Sequence, residues 1–97
     1  MVILVKHVLK AYALKNPAAA KQLNNWYNIV KIADWNKLAD IKVEFNTVDY
    51  VGNDRYVFNI KGNSYRLVTM IFFDKRTVYI RFLGTHSEYD KINCSTI

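Results

Sequence analysis

In the second half of the chain a guanidinium at Arg66, an imidazole at His86 and a phenol at Tyr89 fall among Lys61, Glu88 and Asp90. Few reactions can be run by so small a set. Cleavage of RNA is one, because the substrate carries its own nucleophile, the 2′-hydroxyl. Such a site requires a group that takes that proton, a cation for the charge building on phosphorus, and a donor for the departing 5′-oxygen. His86 suits either proton step, since imidazole titrates near neutrality. Arg66 suits two-pronged phosphate binding, and Lys61 adds a second cation. Tyr89 can stack on a base or share in proton transfer. Spacing alone also admits plainer roles: His86 closing a strand, and Arg66 paired with Glu88 or Asp90. Tyr79, Arg81 and Phe72 read better as a contact face for RNA or protein than as catalysts.

The elements that must position these groups are strands. From Tyr56 to Asp90, runs of β-branched and aromatic residues are broken by Gly62-Asn63 and by Asp74-Lys75-Arg76, the pattern of a three-stranded antiparallel meander. A two-residue turn at Gly62-Asn63, with Gly62 at positive φ, pairs Ile60 with Tyr65, Asn59 with Arg66 and Phe58 with Leu67. A second turn at Lys75-Arg76 pairs Phe73 with Val78, Ile71 with Ile80, Met70 with Arg81 and Arg66 with Thr85. Cross-strand partners share a face. One face then holds Tyr56, Phe58, Ile60, Tyr65, Leu67, Ile71, Phe73, Val78, Ile80 and Phe82, and should be the core. The other mixes Asn59, Lys61, Arg66, Tyr79, Arg81 and Thr85 with apolar neighbours and should receive a partner. This register sets Arg66 beside His86 at one end of the sheet and leaves Arg81 farther away.

Ahead of the meander, Val2 to Leu4 reads as a short strand and Lys6 to Lys15 as a helix. Asn16-Pro17 marks a boundary, Asn as N-cap and Pro in the first helical position. A second helix to about Ala33 repeats Ala20, Leu23, Tyr27 and Val30 at helical spacing, widened by Trp26 and Ile29. Across 34–55, Ile41, Val43 and Phe45 alternate with charged residues and suggest a short strand or extended connector. Asn46-Thr47 and Gly52-Asn53-Asp54 are turn chemistry. The expected whole is one domain over 1–97, an α+β fold with two N-terminal helices packed on one face of an antiparallel sheet.

Fourteen Lys and Arg against eight Asp and Glu leave +6 on 97 residues, which favours an anionic partner, nucleic acid first among them. A lone cysteine, Cys94, permits no internal disulfide or zinc cluster and suits a reducing compartment. Lysines interrupt the apolar N-terminal stretch, which argues against a secretion signal, and no run reaches membrane-spanning length. No paired Cys/His spacing or phosphate-binding Gly loop supports a metal or a nucleotide cofactor.

Phe58–Val68 (FNIKGNSYRLV), Tyr79-Ile80-Arg81 and Gly84–Asp90 (GTHSEYD) together resemble the HigB toxins, RelE-like members of bacterial type II toxin–antitoxin systems. The likeness spans roughly 40–92. It implies a cytoplasmic endoribonuclease, an mRNA interferase acting on mRNA on the ribosome and so inhibiting translation, and needing neither metal nor cofactor. It also implies a HigA-like helix-turn-helix antitoxin as partner and no membrane. Carried onto this chain, it points to Arg66, His86 and Tyr89 as catalytic and to Lys61, Asn63 and Arg81 as weaker candidates. Tyr79 joins these for RNA binding through the basic-aromatic face. Two other readings stay open on the residues themselves. One is a non-catalytic RNA- or ribosome-binding module using that face. The other is a domain that receives an acidic protein partner there.

Overall fold

The computed structural model describes residues 1–97. Its elements in order are β1 (Val2–Leu4), α1 (His7–Lys15), α2 (Pro17–Ile32), α3 (Leu38–Glu44), β2 (Asp49–Gly52), β3 (Arg55–Ile60), β4 (Tyr65–Phe72), β5 (Thr77–Thr85) and α4 (His86–Tyr89). The strands form one sheet in the order β1-β5-β4-β3-β2. The meander is antiparallel as expected, but β1 joins the edge parallel to β5, Val2 opposite Thr77, so the sheet is mixed.

Helix α2 starts at Pro17, whose ring has no N–H to leave unpaired there. Asn16 does not cap it. Its amide donates back to the Tyr12 carbonyl (3.2 Å) and closes α1 instead. The buried stripe of α2 is Ala19, Leu23, Trp26 and Val30, so the stripe read around Ala20 and Tyr27 is turned by about one residue. Trp26 meets Phe58 of β3 edge-on at 5.5 Å, Trp35 stacks on the same ring at 6.3 Å, and Phe45 approaches it at 5.2 Å. This aromatic cluster is the centre of the core.

The connector expected over 34–55 is a helix followed by a strand. Alternation through Ile41, Val43 and Phe45 misleads, because the true period is helical. Ile41 is fully buried, Leu38 and Phe45 pack on the same core, and Val43 is left 85% exposed. The Asp40 carboxylate, in the first turn of α3, accepts from the N–H of Asn36 ahead of the helix (2.8 Å) and ties the connection down. Strand β2 then turns into β3 through Asn53 and Asp54, both at positive φ, as a tight hairpin requires.

The β3–β4 register is as expected, with Ile60 opposite Tyr65, Asn59 opposite Arg66 and Phe58 opposite Leu67. Gly62 takes positive φ, and so does Lys61. The β4–β5 register differs. The loop occupies Phe73–Arg76, so Phe72 pairs with Thr77 and Ile71 with Val78. A bulge at Arg81 then shifts the pairing by one, setting Val68 opposite Phe82, Arg66 opposite Gly84 and Tyr65 opposite Thr85. Faces exchange past the bulge: Leu83 reaches the core and Phe82 points away, the reverse of the expectation. Arg76 pins this loop to the α2–α3 connection by bonding the Asp34 carboxylate and the Trp35 carbonyl.

Candidate functional site on the sheet face opposite the helices

The sheet face turned away from α1 and α2 is not bare. Val57 and Val68, opposite one another on β3 and β4, are buried there. The chain beyond α4 is tied across the strands: Asn53 donates to the Ser95 carbonyl (2.9 Å), and Arg55 and Arg81 donate to the Ile97 oxygen. Helix α4 is a single turn, too short to persist by propensity. A capping box holds it, with the Thr85 hydroxyl accepting from the Glu88 N–H and the Glu88 carboxylate accepting from the Thr85 N–H. Gly84, just before it, leaves room for the Phe82 and Glu88 side chains. A Cβ there would stand 2.7 Å from the Phe82 ring and 2.9 Å from the Glu88 carboxylate.

Between α4 and the segment before β2 lies a cleft of about 370 Å³, lined by Asn46, Thr47, Asp49, Asn59, Arg66 and Tyr89 over Val48 and Val57. Arg66 makes no ion pair. Its donors contact only the carbonyls of Asn63 (3.3 Å) and Tyr65 (3.4 Å), and its guanidinium lies 5.8 Å from the centre of the Tyr89 ring. The proposed partners are engaged elsewhere, Glu88 in the cap and Asp90 with His86. A two-pronged cation in no ion pair, placed over an aromatic ring, is available to an anionic ligand.

The Tyr89 hydroxyl donates to Cys94 Sγ at 3.3 Å. Burial, then the Cys94 contact and the charge of Asp49, push its pKa up to about 12, against a smaller opposing effect of Arg66. Tyr89 therefore keeps its proton at neutral pH and can give it away but not take one.

The structure brings Arg66 and Tyr89 together in the cleft and sets His86 outside its lining. The His86 N–H is bonded to the Ser64 carbonyl (3.2 Å), so its backbone and Arg66 are anchored to the same turn. Its half-exposed ring turns to Asp90, Nδ1 to Oδ2 at 3.0 Å. Lys61 and Asn63 are exposed in the β3–β4 turn. Arg81 is drawn to the C-terminal segment, and Tyr79 packs edge-on against Phe72 at 5.8 Å, so neither reaches the cleft. Asn46, Thr47 and Asp49 were missed, and Asn59, set opposite Arg66 by the expected register, was not singled out for the site. The first two carried a signal, polar turn residues just before a strand, but only the fold shows that this turn faces Arg66.

No three His, Cys, Asp or Glu side chains gather as a metal site, and no helix is long and apolar enough to cross a membrane. Fold and cleft together define a small α+β domain presenting an unpaired arginine and a neutral tyrosine on the outer face of its sheet. Residues 19–92 match the family described as HigB toxin, the RelE-like toxic component of a toxin–antitoxin system. The chain belongs to that family. It is 34% identical over 93 residues to the mRNA interferase toxin HigB of Escherichia coli K12, covering 93% of this chain and 88% of that protein. It is 28% identical over 94 residues to the mRNA interferase HigB of Escherichia coli O6:H1, covering 95% and 91%.

Proposed function

We propose that this chain is an endoribonuclease toxin that cuts mRNA on the ribosome, stops translation, and is held in check by a HigA-like helix-turn-helix antitoxin. The observation that carries the reading is Arg66, in no ion pair and seated over Tyr89 in an open cleft. The scissile phosphate sits against the Arg66 guanidinium, which neutralises charge as the 2′-oxygen closes on phosphorus. Asp90 holds Nδ1 of His86 and leaves Nε2 to take the 2′-proton. Tyr89 protonates the 5′-oxygen as its bond to phosphorus breaks, giving a 2′,3′-cyclic phosphate and a free 5′-hydroxyl. Asn59 and Asn46 offer amide groups to a base beside the cleft. Lys61 and Asn63 lie on the neighbouring turn, within the path of a flanking phosphate. Because the ribosome holds the substrate, the toxin works in the cytoplasm.

The test is cleavage of a defined mRNA in a reconstituted translation mixture, with and without ribosomes. Cuts that require ribosomes and disappear on adding antitoxin are expected. Ribosome binding with intact mRNA would replace the nuclease by the non-catalytic binding module.

A further inference from the structure

Of the four arginines, only Arg76 is in an ion pair. Arg55, Arg66 and Arg81 all reach the outer face of the sheet, and two of them converge on one point beyond the cleft. Arg55 donates from Nε (3.0 Å) and from a terminal nitrogen to the Ile97 oxygen, and Arg81 Nε donates to the same atom at 3.3 Å. The strands set this convergence. Arg55 shares the outer side of β3 with Val57 and Asn59, and the bulge on β5 turns Arg81 out to meet it. A further bond from Arg55 to the Asn53 carbonyl (2.9 Å) orients its guanidinium. Arg55 stands about 13 Å along β3 from Asn59, the residue opposite Arg66, at the usual rise per residue.

Two guanidinium forks in no ion pair, aimed at one oxygen, are the donors of an anion site. The segment that supplies the oxygen is held lightly. None of residues 93–97 is buried, and their ties to the rest of the domain are polar: Asn53 to the Ser95 carbonyl, Tyr89 to Cys94 Sγ, and the two arginines to Ile97. A segment without buried apolar contacts lifts at small cost.

We propose that Arg55 and Arg81 form a second phosphate subsite for the RNA strand lying in the cleft, and that residues 93–97 fill it until RNA displaces them. A phosphodiester presents two charged oxygens, one for each fork. RNA is favoured over an acidic peptide because the pair shares its face with Arg66, and one backbone spans both points. Displacement also has a chemical effect. It takes Cys94 away from the Tyr89 hydroxyl, so loading of RNA frees the proton donor for the 5′-oxygen.

The subsite rests on the nuclease reading, and two measurements made without cleavage separate them. The probe is a short 2′-O-methyl RNA, which has no free 2′-hydroxyl and is not cut. Cys94 is the only thiol, so its reaction with uncharged N-ethylmaleimide reports on the segment. RNA should speed that reaction in the unaltered chain, a readout that needs no variant to fold. Binding is followed by fluorescence anisotropy across a range of salt, with a thermal melt of each variant. Arg55→Ala and Arg81→Ala should each weaken binding about tenfold. Together they should lose less than the roughly hundredfold of independent sites. The double variant should also lower the slope of log affinity against log salt by about 0.7, the share of one phosphate. Lys21→Ala, on exposed α2 surface, should change neither quantity. A thiol that RNA leaves unchanged or slows overturns the proposal, and so do arginine variants that bind like the unaltered chain. A poly-glutamate peptide that speeds the thiol where RNA does not gives the pair to an acidic peptide instead. RNA that frees Cys94 while mRNA on ribosomes stays whole removes the nuclease and keeps the subsite.

Discussion

Arg66→Ala should separate rate from stability. In the folded protein the guanidinium makes two long contacts, 3.3 and 3.4 Å, with the carbonyls of the adjoining turn, and lies over the Tyr89 ring. Contacts of that length contribute little, and a partly exposed cation–π pair about 0.5–1 kcal/mol. Truncation should thus cost ~1 kcal/mol and lower Tm by about 4–8 °C for a domain of this size. The rate loss should be far larger. Removing one preorganised donor from a developing oxyanion costs roughly 2.7–4 kcal/mol, or about 10²–10³-fold. Arg66→Lys keeps the charge but loses the planar fork, and should recover only part of the rate. The assay is single-turnover cleavage of mRNA on programmed ribosomes, with a thermal melt of each variant. A folded Arg66→Ala enzyme within a few-fold of the unaltered rate would show that the empty guanidinium is not the phosphate site.

His86→Gln should lose ~10²–10⁴-fold and flatten the pH–rate profile near neutrality, and an unchanged profile would move the base to Asp49 in the cleft. Tyr89→Phe should slow cleavage without unfolding the chain; native rates would show that the 5′-oxygen takes its proton elsewhere. Alkaline stability should fall as well. Tyr12, Tyr56 and Tyr89 all have raised pKa values in the fold, each first through burial. Above pH ~10 the unfolded chain gives up these protons while the native state still holds them. Stability is therefore full below pH 10 and lost as pH rises towards the Tyr89 value of about 12. Urea titrations across that range should show the decline, and a smaller one in Tyr89→Phe. Phe58→Ala, at the junction of Trp26, Trp35 and Phe45, should cost about 3–5 kcal/mol, and a loss under ~1 kcal/mol would contradict the central place given to this ring.

What could be read from residues alone was whatever local chemistry decides. Gly62 demands a turn, and the alternation on either side then fixes Asn59 opposite Arg66. Pro17 demands a helix start. Where the deciding contact is distant, the reading failed. Nothing near Ile41 says that Trp35 and Phe58 await it, so a chance alternation with Val43 passed for a strand. The bulge at Arg81 is equally silent, and it exchanged Phe82 with Leu83 and Thr85 with Gly84. Within the site, Arg66 and Tyr89 were legible because both lie in the meander and its sequel. Asp49 was not, because its approach to Arg66 depends on β2 turning back along the edge of the sheet.

The parallel pairing of β1 with β5 also governs how the chain matures on the ribosome that makes it. Val2, Ile3 and Leu4 emerge long before their partners Thr77, Val78 and Tyr79. The opening strand must wait, unpaired, through the helical hairpin and most of the meander, and such a distant closure is slow to form. Thr85–Tyr89, which complete the cleft, follow directly behind those same partners. Sheet closure and cleft assembly thus fall together, after most of this domain has been made. A chain interrupted anywhere before Thr77 carries the two N-terminal helices but neither a sealed sheet nor a complete cleft.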